Sequence, residues 1–166
     1  MTIHPRLTSS SPASAHCPSR VLIVCMGNIC RSPTAEAILR SQLAKAGLQI
    51  EVDSAGTEDY HVGAAPDSRS ISHARRRGYE LAGLRARQVN SGDFSTFDLI
   101  LAADGANLAE LKRRCPRDHQ HKLSLFLDNA AVPDPYYGGS DGFEKVLDLI
   151  ESRAAALVRQ WSGAVA

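Results

Sequence analysis

A chain of 166 residues is long enough to bury one substantial core and is expected to fold as a single domain. A formal net charge of +1 with 43% apolar residues offers no global field to recruit nucleic acid or an anionic membrane surface, so partner choice has to be local. The four cysteines, Cys17, Cys25, Cys30 and Cys115, are too few and too irregularly spaced for a disulfide framework, and none sits in a C-x-x-C metal pair; they suit a reducing, cytoplasmic compartment.

Residues 1–19 are rich in Ser and Pro and show neither an apolar h-region nor a period, so they read as a disordered lead, distinct from a secretory signal, ahead of a domain over residues 20–166. No apolar run approaches the roughly 20 residues needed to span a bilayer. From Arg20 onward strands and helices alternate. Val21 to Cys25 is a short continuous apolar run of the kind buried on both faces of a parallel sheet. A helix is predicted over Pro33 to Ala46, with Ser32 as N-cap and Gly47 as stop. Strands are predicted over Gln49–Ser54, Phe97–Ala102 and Lys122–Leu127, and helices over Asp67–Arg77, ended by Gly78, and over Gly105–Arg114. Residues 128–140, with Pro133, Pro135 and Gly138-Gly139, form a loop. The tail from Gly142 to Trp161 has Phe143, Val146, Leu147, Ile150, Ala154, Leu157 and Trp161 on one helical face, and Gly163 is expected to end it. The pattern predicts an α/β fold: a four-stranded parallel sheet, doubly wound, in a flavodoxin-like three-layer sandwich. Ligands of such folds sit beyond the carboxyl ends of the strands, where the strand order reverses.

Cys25 stands at such an end. In Cys25-Met26-Gly27-Asn28-Ile29-Cys30-Arg31-Ser32-Pro33 a thiol, a turn of backbone N–H groups and an arginine surround one small volume. A cysteine facing helix N-terminal donors and a guanidinium is stabilised as the nucleophilic thiolate. Met26, Gly27, Asn28, Ile29 and Cys30 supply backbone donors, and Gly and Asn tolerate the positive φ that lets N–H groups converge on an anion. Arg31 can hold two phosphate oxygens with its planar fork, and Ser32 can donate to the sulfur as it leaves. Arginine is common in this chain, so a bare Cys-x5-Arg is a weak signal; the preceding strand, the Gly-Asn turn and the Ser-Pro helix start make it a strong one. A nucleophile attacking a phosphate monoester needs an acid for the leaving oxygen. Asp134, in Pro133-Asp134-Pro135-Tyr136-Tyr137, is the candidate, although Asp-Pro is also an ordinary turn dipeptide.

Other residues admit plain readings. Cys30 can be a small buried hydrophobe, and Cys17 and Cys115 incidental. Arg75-Arg76-Arg77 is either a surface for acidic phosphopeptides or a solvated face. His119 and His121 with Asp118 lack metal-ligand spacing, so no metal site is assigned.

The Cys25–Pro33 loop together with Asp134-Pro135-Tyr136-Tyr137-Gly138 resembles the low-molecular-weight protein-tyrosine phosphatases. The similarity extends through Asp53-Ser54-Ala55-Gly56-Thr57, Ala86-Arg87-Gln88 and Phe97-Asp98-Leu99-Ile100, covering about residues 20–162. The resemblance implies hydrolysis of phosphotyrosine through a phosphocysteine, with Cys25 as nucleophile, Asp134 as general acid and then base, and no metal or cofactor. It implies that Arg31 binds the phosphoryl group, that Asn28 and Ser54 brace the loop, that Ser32 assists the leaving thiolate and that Tyr60 and Tyr136 flank the substrate ring. It further implies that Cys30 can pair reversibly with Cys25 under oxidation. Tyrosine-phosphorylated proteins are the implied substrates, inorganic phosphate and other oxyanions the product or inhibitors, and a cytoplasmic monomer the implied form, without nucleic acid or membrane. The family commonly carries a histidine, part of the network behind the loop, where this chain has Leu84. Two rival functions share features of the loop. A thiol-dependent arsenate reductase would need further cysteines to carry a disulfide outward. A non-catalytic phosphotyrosine-binding module would need neither Cys25 nor Asp134.

Overall fold

The computed structural model describes residues 17–135 and 139–165. Four strands, β1 (Arg20–Cys25), β2 (Glu51–Gly56), β3 (Leu99–Ala102) and β4 (Leu123–Leu125), form one parallel sheet in the order β2-β1-β3-β4. Alternation splits β1 between two cores. Val21, Ile23 and Cys25 join the cluster beneath α1 (Arg31–Lys45) and α5 (Ser140–Val165), whereas Leu22 and Val24 join the cluster with Phe94, Ile100 and Leu111 on the opposite face. Helices therefore cover both faces, and the continuous apolar run of β1 follows from its central position. The chain leaves β1 for β2 on one side and returns to β3 on the other, which puts the crevice at Cys25.

Several boundaries differ from expectation, each for a local reason. Of the lead expected over residues 1–19, residues 1–16 lie outside the described residues, and residues 17–19 are fastened to the domain. Cys17 packs against the core, and Asp98 accepts hydrogen bonds from the Ser19 and Arg20 N–H groups at 2.7 and 3.0 Å. α1 starts at Arg31, and its N-cap position is Cys30, with no side-chain cap. Ser32 is therefore not the cap: its hydroxyl is committed to Cys25 and Asn28 instead. Pro33 falls within the first helical turn, where a missing N–H costs no intrahelical bond. Gly47, at φ +71°, ends α1 as expected. β2 lies two residues later than predicted, which pairs Cys25 with Gly56. A Cβ at Gly56 would stand 2.7 Å from the Met26 carbonyl oxygen, so only glycine permits this approach.

Asp67 caps α2 (Ser68–Arg76), with Gly78 beyond it at φ +89°, and Asp104 caps α4 (Gly105–Arg114). A four-residue α3 (Asp93–Thr96) and a 3-10 helix over Arg117–Lys122 were not anticipated. The predicted apolar stripe of α5 is buried throughout, but Gly163 does not stop the helix, which runs through it to Val165. The Arg75-Arg76-Arg77 run divides by position: Arg75 pairs with Glu80 at the surface, Arg76 is exposed, and Arg77 is bound by Glu144, Asp148 and Glu151 of α5. No described helix is long and apolar enough to cross a membrane.

Candidate active site

The loop after β1 and the start of α1 form the floor of a cavity of about 260 Å³, lined by Cys25, Met26, Gly27, Ile29, Cys30, Arg31, Tyr60, His61 and Asp134. Asn28, the only described non-glycine residue with positive φ (57°), gives the loop its turn. Its backbone N–H points to Cys25 Sγ at 3.3 Å. Its side chain is buried and fully used: Oδ1 accepts from the Arg87 N–H at 3.0 Å, while Nδ2 donates to Ser32 Oγ at 2.8 Å and Ser54 Oγ at 2.9 Å. Ser32 Oγ lies 3.0 Å from Cys25 Sγ. The loop-bracing residues named from the sequence thus form one connected unit.

Arg31 is only 5% exposed, and its charge is supported from two sides. Nη1 donates to Asp104 Oδ2 at 2.7 Å and to the Val132 carbonyl at 3.2 Å, and Nη2 stands 3.8 Å from Asp134 Oδ2. Burial opposes the guanidinium charge, but Asp104, Cys25 and Asp134 more than offset it, so its pKa is raised. The Asp134 side chain is 36% exposed at the mouth of the cavity. It is carried there because Val132 is buried and donates its N–H to the Ala103 carbonyl at 2.7 Å, pinning the Pro-rich loop to the end of β3. Cys30 is buried, and desolvation pushes its thiol up to about 12 against the opposing hydrogen bond to Ser70. Tyr60 stands 70% exposed at the rim, whereas Tyr136 lies outside the described residues.

Three residues escaped the sequence reading. Asp104 follows β3 and caps α4, so its position at a strand's carboxyl end was a usable signal. Glu36, between apolar positions of α1, accepts from Ser54 Oγ at 2.6 Å. Burial raises its pKa, opposed by Ser54 and by Arg40. His61 approaches the loop so closely that a Cβ on Gly27 would meet its ring at 3.0 Å. Leu84, in the position where a histidine was noted as usual, packs partly buried against the α1-side core.

Residues 20–164 match the family described as low molecular weight phosphotyrosine protein phosphatase. The chain belongs to that family. Its enzyme class is accordingly protein-tyrosine phosphatase, a phosphoric monoester hydrolase. A low molecular weight phosphotyrosine protein phosphatase of Schizosaccharomyces pombe is 44% identical over 133 residues, covering 75% of this chain and 85% of that protein. Among solved structures, a protein tyrosine phosphatase from Entamoeba histolytica with Hepes in its active site is 39% identical with a TM-score of 0.83, covering 86% of this chain and 96% of the other. Wzb of Vibrio vulnificus in complex with benzylphosphonate is 28% identical with a TM-score of 0.78, covering 85% and 97%. The two solved relatives share the layered fold of this chain.

Proposed function

We propose that this chain hydrolyses phosphotyrosine in proteins, and aryl phosphate monoesters generally, through a phosphocysteine on Cys25. The observation that carries the reading is the convergence of Cys25, Ser32 and Arg31 on one small cavity with Asp134 3.8 Å from the Arg31 fork. The Cys25 thiolate attacks phosphorus while Arg31 and the N–H groups of residues 26–31 hold the equatorial oxygens, where negative charge accumulates. Asp134 protonates the departing tyrosine oxygen and then accepts a proton from the water that cleaves the S–P bond. Ser32 donates to the sulfur as it leaves. Tyr60 walls the ring, and the Vibrio vulnificus relative, in complex with benzylphosphonate, supports a ligand that joins an aromatic ring to a phosphorus oxyanion. Inorganic phosphate is the product and a competing ligand, and Cys30 serves as the oxidative partner of Cys25. The four free thiols suit a reducing, cytoplasmic setting. The arsenate reductase reading finds no support in Cys115, which is buried in the core on the far face of the sheet.

The deciding experiment compares two variants on two leaving groups. Cys25→Ser is expected to abolish turnover of any aryl phosphate. Asp134→Asn should lower kcat about a hundredfold or more for phosphotyrosine, with a much smaller loss for an activated ester whose leaving group needs no proton. Turnover by Cys25→Ser would remove the nucleophile, and equal losses on both esters would remove the general acid.

A further inference from the structure

The hydroxyl of Ser32 can stabilise a thiolate only if its single hydrogen points at Cys25. Hydrogen-bond geometry fixes that direction from the far end of the network. The Arg87 N–H requires an acceptor, so Asn28 presents Oδ1 to it and Nδ2 to the two serines. Ser32 Oγ and Ser54 Oγ therefore each accept from Asn28 and must send their own hydrogens elsewhere. Ser54 sends its hydrogen to Glu36 Oε1 at 2.6 Å, and Ser32 is left to donate to Cys25 Sγ at 3.0 Å.

That polarity holds only while Glu36 is a pure acceptor. Its residue is 2% exposed, so solvent does not set its state. The other oxygen, Oε2, is buried without a hydrogen bond and is faced by Arg40 Nη1 at 2.9 Å, an ion-pair contact one helical turn along α1. Arg40 is itself held in place, since its Nε and Nη2 both donate to the Val52 carbonyl of β2, at 2.9 and 2.6 Å. Asp53 and Arg87 act on Glu36 from the neighbouring segments with opposite signs, leaving Arg40 as the cation in contact.

We propose that the Glu36–Arg40 ion pair is the positioning element that sets the donor direction of the Ser54–Asn28–Ser32 relay and so keeps the Ser32 hydrogen directed at Cys25 Sγ. This rests on the reading of Cys25 as the nucleophile. A Glu36 carrying a proton on Oε1 would donate to Ser54 and leave the Ser54 hydrogen no acceptor in the relay but Asn28 Oδ1, so that Ser54 would compete with the Arg87 N–H for the Asn28 orientation that frees the Ser32 hydrogen. Neither Glu36 nor Arg40 touches substrate.

The test follows the rate of iodoacetamide alkylation of Cys25 against pH by mass spectrometry, alongside kcat and KM on an aryl phosphate. Arg40→Met, which keeps an apolar stem and removes the charge, should move the alkylation midpoint up by about one pH unit and lower kcat about tenfold, with KM changed by less than about twofold. Arg40→Lys should restore most of both. Glu36→Gln should resemble Arg40→Met, and the double variant should lose no more than the worse single one, because both act through one relay. The facing charges of Arg31, Asp104 and Asp134 are present in every variant, so they do not account for a difference. A folded Arg40→Met with the parent midpoint and kcat overturns the proposal, as does failure of Arg40→Lys to restore either. If Glu36→Gln does not fold, the Arg40 pair decides, since that side chain is half exposed. Alkylation reads the thiol whether or not the chain turns over phosphotyrosine, so failure of the relay is distinguishable from failure of the activity.

Discussion

The two oxygens of Asp104 are committed to different helices. Oδ1 accepts from the Asn107 N–H at 2.8 Å and caps α4, while Oδ2 holds Arg31 at the start of α1. Asp104→Asn keeps a carbonyl for the cap but removes the charge facing a buried guanidinium. Chemical denaturation should show a loss of about 1.5–3 kcal/mol, and saturating inorganic phosphate should recover part of it by supplying an anion to Arg31. An undiminished stability would show that Val132 and Asp134 suffice. Cys30 is the proposed oxidative partner of Cys25. In the proposed redox step peroxide would oxidise the Cys25 sulfur to a sulfenic acid, and the Cys30 sulfur would then displace water to form a disulfide. Because burial holds the Cys30 thiol protonated up to about pH 12, the second step should be slower than the first. Intact mass is expected to show a transient gain of one oxygen followed by a net loss of two hydrogens, with activity regained on adding thiol. Accumulation of higher oxides alone would assign Cys30 to packing. The sequence pointed to Cys25, Arg31 and Asp134 because each has a motif around it; Asp104 and Glu36 carry none, and their importance comes from partners 73 and 18 residues away.

At the scale of elements, what the sequence made legible was hydrophobic period, and what it concealed was the use of polar side chains at element ends. The run Val21–Cys25 and the stripe of α5 are periodic signals that only burial satisfies, and both are buried. Ser32 looked like a cap by residue type, but a hydroxyl serves only one geometry, and the loop claims it. α3 spans four residues, too few for any period to emerge. Gly163 is the clearest case of competition between propensity and packing. Trp161, 2% exposed in the core, anchors the last turns of α5 strongly enough to carry the helix through a glycine. Beyond its chain neighbours and its own stretch of helix backbone, no atom of the described residues lies within 4 Å of where a Cβ on Gly163 would stand, and its φ is not in the left-handed range. Gly163→Ala should therefore stabilise the protein by up to about 1 kcal/mol in thermal or denaturant unfolding. A destabilisation would mean that Gly163 ends the helix in a left-handed conformation, as its sequence position suggests.

The alternation of strands and helices was enough to forecast the doubly wound sheet and the crevice at Cys25, because crossover handedness leaves few alternatives. It could not forecast how the walls of that crevice are tied to the rest of the molecule. α2 is fastened at both ends. The Asp67 N–H donates to the Ile29 carbonyl of the loop at 2.8 Å, and at the other end Arg77 is gripped by Glu144, Asp148 and Glu151 of α5. Tyr79 donates to Glu151 at 3.0 Å, and His73 Nδ1 lies 2.7 Å from Glu144, its ring stacked on Phe143. His73 and Arg77 hold the Glu144 carboxyl below its ordinary value of 4.5. A carboxyl depressed in the folded state contributes stability above its unfolded pKa, and that contribution is lost as pH falls through the folded one. The junction should thus be intact near neutrality and fail progressively below about pH 4.5. Arg77→Gln should destabilise the protein at pH 7, and the gap from the parent should narrow as pH drops below 4.5, since the parent then loses the same carboxylate partner. The Glu144 side chain is 38% exposed, so the effect at neutral pH should be modest, of the order found for surface ion-pair networks. A gap that stays constant from pH 7 to pH 3 would mean that Arg77 contributes through packing of its stem and not through its charge. Because α2 also touches the loop through Asp67, the charge-borne outcome carries a kinetic corollary: phosphatase activity of the parent should decline in acid over the same range in which the α2–α5 junction opens.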